Sequence, residues 1–260
     1  VLFFLSWNSF AIYKDSVLIS ALRNFITTEL QFQFCHPFYT NWSRSDKPYV
    51  NLYISKGDKV ESATKNTYGS FGTNEKAAKE RAAKHEAEGH HSFIYKTYAT
   101  SSAELNERFI SYSEEAKCFI VLHEFFHHFR HDLELAIPYE FEEAIGDVIG
   151  NYGATEFMQH QDNHLRSIRK QTSKNERVYK IINVTADRID RQPERVDELN
   201  RRCEKKIKRI LTHADQFQID RFNYSVNNVY LLKNRIYSKR NFLLKRLYKK
   251  TDTLADFLAI

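Results

Sequence analysis

The stretch Phe119–Phe129, F-I-V-L-H-E-F-F-H-H-F, constrains this chain more than any other, because it sets His123 and His127 four residues apart with Glu124 between them. Helical residues four apart lie one turn above each other. Both imidazoles then aim at one metal ion while Glu124 reaches a water on it, which is the H-E-x-x-H arrangement of zinc hydrolases. The helix is predicted by apolar residues at Phe119, Leu122, Phe126 and Phe129, one stripe at the helical period. That stripe faces a core, and the histidines lie beside it.

A two-histidine site needs a third protein ligand and keeps its fourth position for water. Pro138 is placed to open a returning helix as its first residue, and that helix carries Glu140, Glu142, Glu143, Asp147 and Asn151. Glu143, Asp147 and Asn151 share a face. Glu143 reads as a glutamate ligand, and Asp147 as an acid one turn later that accepts the N–H of a metal-bound histidine and fixes its tautomer. The fifteen residues between His127 and Glu143 suffice for the first helix to end near His131, turn through Asp132–Ile137 and return. The competing reading makes Glu140, Glu142 and Glu143 a solvated first turn favoured by the helix dipole, with the histidines satisfied in a core. His127/His131 and His160/His164 also have ligand spacing, but neither pair has an adjacent base, so one Zn²⁺ ion is the expectation.

Seven glycines and four prolines in 260 residues argue for long helices over a turn-rich sheet protein, and 20 Phe with 15 Tyr supply a sizeable core. Cys35, Cys118 and Cys203 are too scattered for a disulfide framework or a thiolate metal site. Val1–Leu5 is apolar but too short for a signal core or a membrane span, no other window approaches a transmembrane length, and a soluble chain is expected. Helical period marks Ser16–Leu30, and Val50–Ser55 reads as a strand. Thr73–Glu88 is a helix capped by Thr73 or Asn74 and stopped by Gly89. Ser92–Tyr98 is a second strand. As an edge strand it would place Tyr98, within Thr97–Thr100, at the lip of a cleft that binds extended substrate by main-chain pairing; an ordinary structural strand is the alternative. Gly146, Gly150 and Gly153 recur near every fourth position, which suggests close helix packing.

From His160 onward the chain holds 24 Lys and Arg against 12 Asp and Glu, whereas the first 159 residues hold 15 against 21. Helices are predicted over Val178–Ile189 and Val196–Ala214 on either side of Pro193, then over Asn227–Lys249 and Thr251–Ile260. Interleaved acids and the lack of a nucleic-acid motif favour solvated helix faces, so nucleic acid is not the expected partner; peripheral membrane contact through this basic half stays open. The expected fold class is α+β and mostly helical, with a small N-terminal sheet, a zincin-like HExxH helix pair and a C-terminal helical bundle. Its serial parts are 1–100, the N-terminal α+β part of a catalytic domain; 101–159, the zinc-binding helix pair; and 160–260, the basic helical part.

Four stretches carry a family likeness: Gly69-Ser70-Phe71 with the Ala-rich helix Asn74–Glu88 and Gly89; Thr97-Tyr98-Ala99-Thr100; His123–His127 followed by Phe141-Glu142-Glu143; and Val226-Asn227-Asn228 with Tyr237 and the closing Leu254–Leu258. Leu22-Arg23-Asn24-Phe25 and Asp46-Lys47-Pro48 fit as well. In this order they resemble a bacterial aminopeptidase family of the gluzincin type, often found as envelope lipoproteins, over most of the chain from about residue 20. The resemblance implies Glu143 as third ligand, a bacterial cell-envelope location and a peptide or protein substrate. Glu142 departs from the family's asparagine, the cysteine-containing segment before Gly69 is shortened, and no lipoprotein cysteine is present.

The expected activity is that of a zinc metallopeptidase, specifically an aminopeptidase. His123, His127 and Glu143 hold Zn²⁺, and Glu124 takes a proton from the attacking water and passes it to the leaving amine. Tyr237 is the choice for stabilising the oxyanion, with Tyr98 and Tyr152 as rivals. Glu142 or Glu140 would hold a substrate α-ammonium. The alternatives are a site-specific zinc endopeptidase and a non-catalytic basic helical module that binds nucleic acid or an anionic membrane.

Overall fold

A computed structural model describes residues 2–33, 38–39, 47–56, 60, 68–98, 106–160 and 165–260, with the backbone alone for 2–12, 139–140, 160 and 165. In chain order the elements are α1 (Leu2–Thr28), β1 (Tyr49–Lys56), β2 (Tyr68–Ser70), α2 (Glu75–Ala87), β3 (His90–Thr97), α3 (Glu107–Ile110), α4 (Glu114–Asp132), α5 (Tyr139–His160) and α6 (Leu165–Arg191). After a 3₁₀ turn at Pro193–Arg195 come α7 (Val196–Leu211), α8 (Gln216–Phe222), α9 (Asn228–Ser238), α10 (Asn241–Tyr248) and α11 (Leu254–Leu258). The architecture is α+β and mostly helical, with one small antiparallel sheet. Among the described residues no helix is long and apolar enough to cross a membrane.

These elements form two compact units, one of Val1–Asp46, Ala99–Lys170 and Asn241–Ile260, the other of Lys47–Tyr98 and Gln171–Arg240. The grouping is not the serial one expected from charge and composition. Its boundary falls inside α6, and the last two helices belong with α4 and α5. Charge segregation reports which segments are solvated, whereas the units are set by long-range apolar contacts that local composition does not encode.

In the first unit, α4 is the central helix. Ser113 caps it by accepting from the Ala116 N–H, Glu114 and Glu115 occupy its first turn, and Arg130 and His131 its last, all favourable to the helix dipole. Every residue from Glu115 to His123 is buried, so the helix is enclosed on all sides rather than along the one predicted stripe. α1 meets α4 on one side. There the Lys117 ammonium lies 2.6 and 2.8 Å from the Asp15 carboxylate oxygens and donates to the Ile110 carbonyl at 3.0 Å, which satisfies a charge that burial would otherwise penalise.

α5 packs along α4, and its glycines are the reason it can. A Cβ at Gly150 would stand 2.9 Å from the Phe119 carbonyl oxygen, and one at Gly153 would stand 2.7 Å from Leu254 Cδ2 of α11. Phe25 and Phe157 meet edge to face at 5.6 Å, as do Phe32 and Phe125 at 5.3 Å. α1 begins far earlier than its predicted start at Ser16. Ser and Asn inside a long helix cost only a few tenths of a kcal/mol each, about 0.7 at most, too little to stop it.

In the second unit the strands run β2-β1-β3, with Asn51 opposite both Ser70 and Tyr95. The period-2 alternation of β1 divides its side chains. Leu52 and Ile54 pack on Ala82 of α2, while Tyr53 joins Phe93 in a core with Val178, Ile182, Leu199, Phe222 and Tyr230 from α6 to α9. The predicted helical pair about Pro193 is present as α6 and α7. The predicted Asn227–Lys249 helix is instead two, α9 and α10. β2, three residues including Gly69, is too short to leave a periodic signal.

Candidate metal centre

His123 sits where α4 is still enclosed, 7% exposed, and His127 one turn later where the helix begins to emerge. Their Nε2 atoms face each other at 3.3 Å. From α5, Glu143 brings one carboxylate oxygen to 3.4 Å from His123 Nε2 and the other to 3.8 Å from His127 Nε2. A tetrahedral ion with bonds of about 2.0–2.1 Å separates neighbouring ligand atoms by roughly 3.3 Å. One ligand atom from each of His123, His127 and Glu143 lies within 4.8 Å of the others, so the set could hold a metal ion.

Two further carboxylates stand behind the rings. Asp147 lies 3.2 Å from His123 Nδ1, and Glu142 lies 2.9 Å from His127 Nδ1. Each directs one ring nitrogen outward, which leaves the Nε2 lone pair for a ligand. Glu142 also reaches Arg130 Nε at 3.5 Å. Expected at the substrate ammonium, Glu142 is thus engaged with a histidine and an arginine of α4. Gly146 makes the approach possible, since a Cβ there would stand 3.0 Å from His123 Cε1 and 3.1 Å from its Nδ1.

The electrostatics follow from this crowding. Burial works against a charged His123, but Asp147 and Glu143 outweigh it and hold the ring up at about 10, with Glu124 adding to them. His127 is likewise opposed by burial and raised by Glu142, Glu143 and Glu124. The surrounding carboxylates thus favour positive charge at this point of the fold.

Glu124 is half-buried on α4 beside the two histidines, and its charge reaches a residue that sequence reasoning passed over. Tyr39, in the same unit, is 6% exposed, and its hydroxyl has no hydrogen-bond partner among the described residues. Burial, then the Glu124 charge, pushes its pKa well above the usual tyrosine value. The signal in the sequence was only one tyrosine among fifteen.

The other expected residues have different surroundings. Tyr152 stacks on Tyr248 at 4.2 Å. Tyr98 and Tyr237 belong to the second unit, where Tyr98 follows β3 and Tyr237 lies against the Arg221 guanidinium at 5.4 Å and the Lys233 ammonium at 4.6 Å. His128 packs on Phe38 at 4.9 Å, and His131 is exposed beside Asp132. The side chains of Glu140 and His160, and the whole of His164, lie outside the described residues, as do Ala99 and Thr100 of the predicted cleft lip. Compared with protein-family models, curated proteins and solved structures, the chain matches none.

Proposed function

We propose that the chain is a zinc-dependent metallopeptidase of zincin-like build, with α4 and α5 holding Zn²⁺ through His123, His127 and Glu143. The observation that carries this reading is the convergence of three ligand-type residues from two helices: the two Nε2 atoms 3.3 Å apart, a Glu143 oxygen at 3.4 Å from one and the other oxygen at 3.8 Å from the second, and an acid behind each histidine. A gluzincin-like ligand set of this kind also accounts for Gly146, which admits the second helix to the ring of the first.

Zinc at this centre would supply Lewis-acid polarisation of a carbonyl and a water acidic enough to lose its proton near neutral pH. The chain's own groups do the rest. Asp147 and Glu142 fix the ring orientations. Glu124 accepts the proton of the attacking water and returns it to the leaving amine. Tyr39, whose pKa burial and then the Glu124 charge raise, joins Tyr237 as a candidate for stabilising the oxyanion.

Removal of N-terminal residues is the reading that the family resemblance favours; cleavage within a chain is the other. With Glu142 facing His127, an aminopeptidase needs a different carboxylate for the substrate ammonium. Part of the basic surplus that suggested a binding module is matched internally: Arg195 and Arg202 share Glu198, Lys208 meets Glu204, and Arg235 bridges Asp187 and Asp190.

The test is a peptide-library digest by wild type and Glu124→Gln, with zinc counted in both and in His123→Ala. Glu124→Gln is expected to keep the His123-dependent zinc and lose about 10²–10⁴-fold in rate. Trimmed ends would identify an aminopeptidase and internal cuts an endopeptidase. No His123-dependent zinc in wild type, or cleavage unaffected by Glu124→Gln, would end the proposal.

A further inference from the structure

A second constellation of ligand-type side chains lies in the other unit, at the turn from α2 into β3. His85 and Glu88 are three apart on the last turn of α2, and Gly89 with φ +81° reverses the chain so that His90 opens β3 beside them. One Glu88 oxygen, Oε2, lies 3.4 Å from His85 Nδ1 and 3.8 Å from His90 Nδ1. One ligand atom from each of the three residues falls within 4.8 Å of the others, and the two rings are 5.9 Å apart.

Apart from these Glu88 contacts, neither Nδ1 atom has a hydrogen-bond partner among the described residues. His85 is 8% exposed, and the Nδ1 atoms of both His85 and His90 are buried. Native structures rarely leave such atoms unsatisfied, and each that occurs asks for an explanation. The neighbours are committed elsewhere: Ser92 donates to Glu86 at 2.5 Å, and His91 pairs with Asn228 at 2.8 Å. Successive strand residues face opposite ways, so His90 is left on the α2 side. The carbonyl end of the thirteen-residue α2 adds a negative potential suited to a cation.

We propose that His85, Glu88 and His90 bind a divalent transition-metal ion, Zn²⁺ or Co²⁺ in kind, through two Nδ1 atoms and one carboxylate oxygen. The donor spacings of 3.4 and 3.8 Å lie near the roughly 3.3 Å of a tetrahedral ion, a small inward movement of His90 closes the longer one, and the half-exposed Glu88 leaves a side open for water as fourth ligand. Glu86, the nearest other acid in sequence, accepts a hydrogen bond from Ser92. The site is a clip that ties the end of α2 to the first residue of β3. It stands whether or not the α4–α5 centre proves catalytic.

Co²⁺ titration of the full chain carrying His123→Ala and His127→Ala tests it, because a tetrahedral site of this composition gives visible absorption. One equivalent is expected to bind, and adding Glu88→Gln or His90→Asn should weaken it by more than the 10–100-fold that loss of an outer partner costs. Zinc counted in the otherwise unmodified chain supplies the same reading should the double variant not fold: Glu88→Gln, a half-exposed substitution, should lower the count by one ion per chain. A cobalt spectrum or zinc count unchanged by Glu88→Gln and His90→Asn would overturn the assignment, as would the absence of any metal beyond the His123-dependent ion.

Discussion

Gly146 of α5 lies so close to His123 of α4 that a methyl group on its Cα would stand 3.0–3.3 Å from three atoms of the imidazole. The ring has little room to yield, since Asp147 and Glu143 flank its two nitrogens at 3.2 and 3.4 Å. Gly146→Ala should therefore move the ring and weaken zinc binding about tenfold or more, while the better helix propensity of alanine, roughly 1 kcal/mol, offsets part of the packing strain. Gly150→Ala differs in kind. Its Cβ meets the Phe119 backbone at 2.9 Å, which cannot rotate away, so the expected result is a stability loss of about 1–3 kcal/mol. Metal titration and thermal melts of the two variants separate these effects, and equal zinc affinity in Gly146→Ala and wild type would contradict the first.

Asp147 and Glu142 approach different histidines of the proposed metal set, so Asp147→Asn and Glu142→Gln should each reduce zinc affinity by about 10–100-fold. Glu142→Gln also removes the carboxylate 3.5 Å from the buried Arg130 Nε, so some loss of stability is expected beside the loss of affinity. Competition with a chelator reads both affinities. Wild-type binding in both variants would show that the acids behind the rings are incidental.

Much of this centre is legible in the sequence because it rests on local geometry. His123 and His127 are aligned by the helix itself, and Glu143 and Asp147 by the same four-residue interval on the next. What sequence could not show depends on where separate segments meet. Glu142 reads as a first-turn acid until α5 is laid against α4, and only then does it reach His127. Tyr39 is one of fifteen tyrosines until its burial beside the Glu124 charge is known. The group His85, Glu88 and His90 crosses a helix-to-strand boundary, so no single period connects its members. Its assembly depends on the left-handed conformation of Gly89.

The metal-free centre carries a pH dependence of known sign. His123 has its folded pKa raised to about 10 from an ordinary 6.5, with His127 shifted the same way. A raised pKa means that the folded state holds protons more tightly than the unfolded one. The resulting stability is complete below pH 6.5 and is lost as pH rises toward 10. Zinc must displace those protons, so its apparent affinity rises over the same interval. Melting the chelator-treated and zinc-loaded chains from pH 6 to 9.5 should show the metal-free midpoint falling and the gap between the two widening. A gap independent of pH would mean that these histidines are not the ligands.

Tyr39 carries two features that folding alone would disfavour: a buried hydroxyl without a partner among the described residues and a left-handed backbone, φ +48°. Such a conformation costs roughly 1–3 kcal/mol in a residue other than glycine and tends to persist where function requires it. Tyr39→Phe keeps the ring against Phe38 and Phe109 and removes only the oxygen. Deleting an unsatisfied buried hydroxyl should leave stability unchanged or slightly higher. If the oxygen meets the oxyanion of the tetrahedral intermediate, kcat should fall about 10²–10³-fold with KM and zinc content held. A stable variant with undiminished kcat would return the oxyanion to another donor, whereas a destabilised one with proportionate losses in kcat and folded fraction would make Tyr39 a packing residue only.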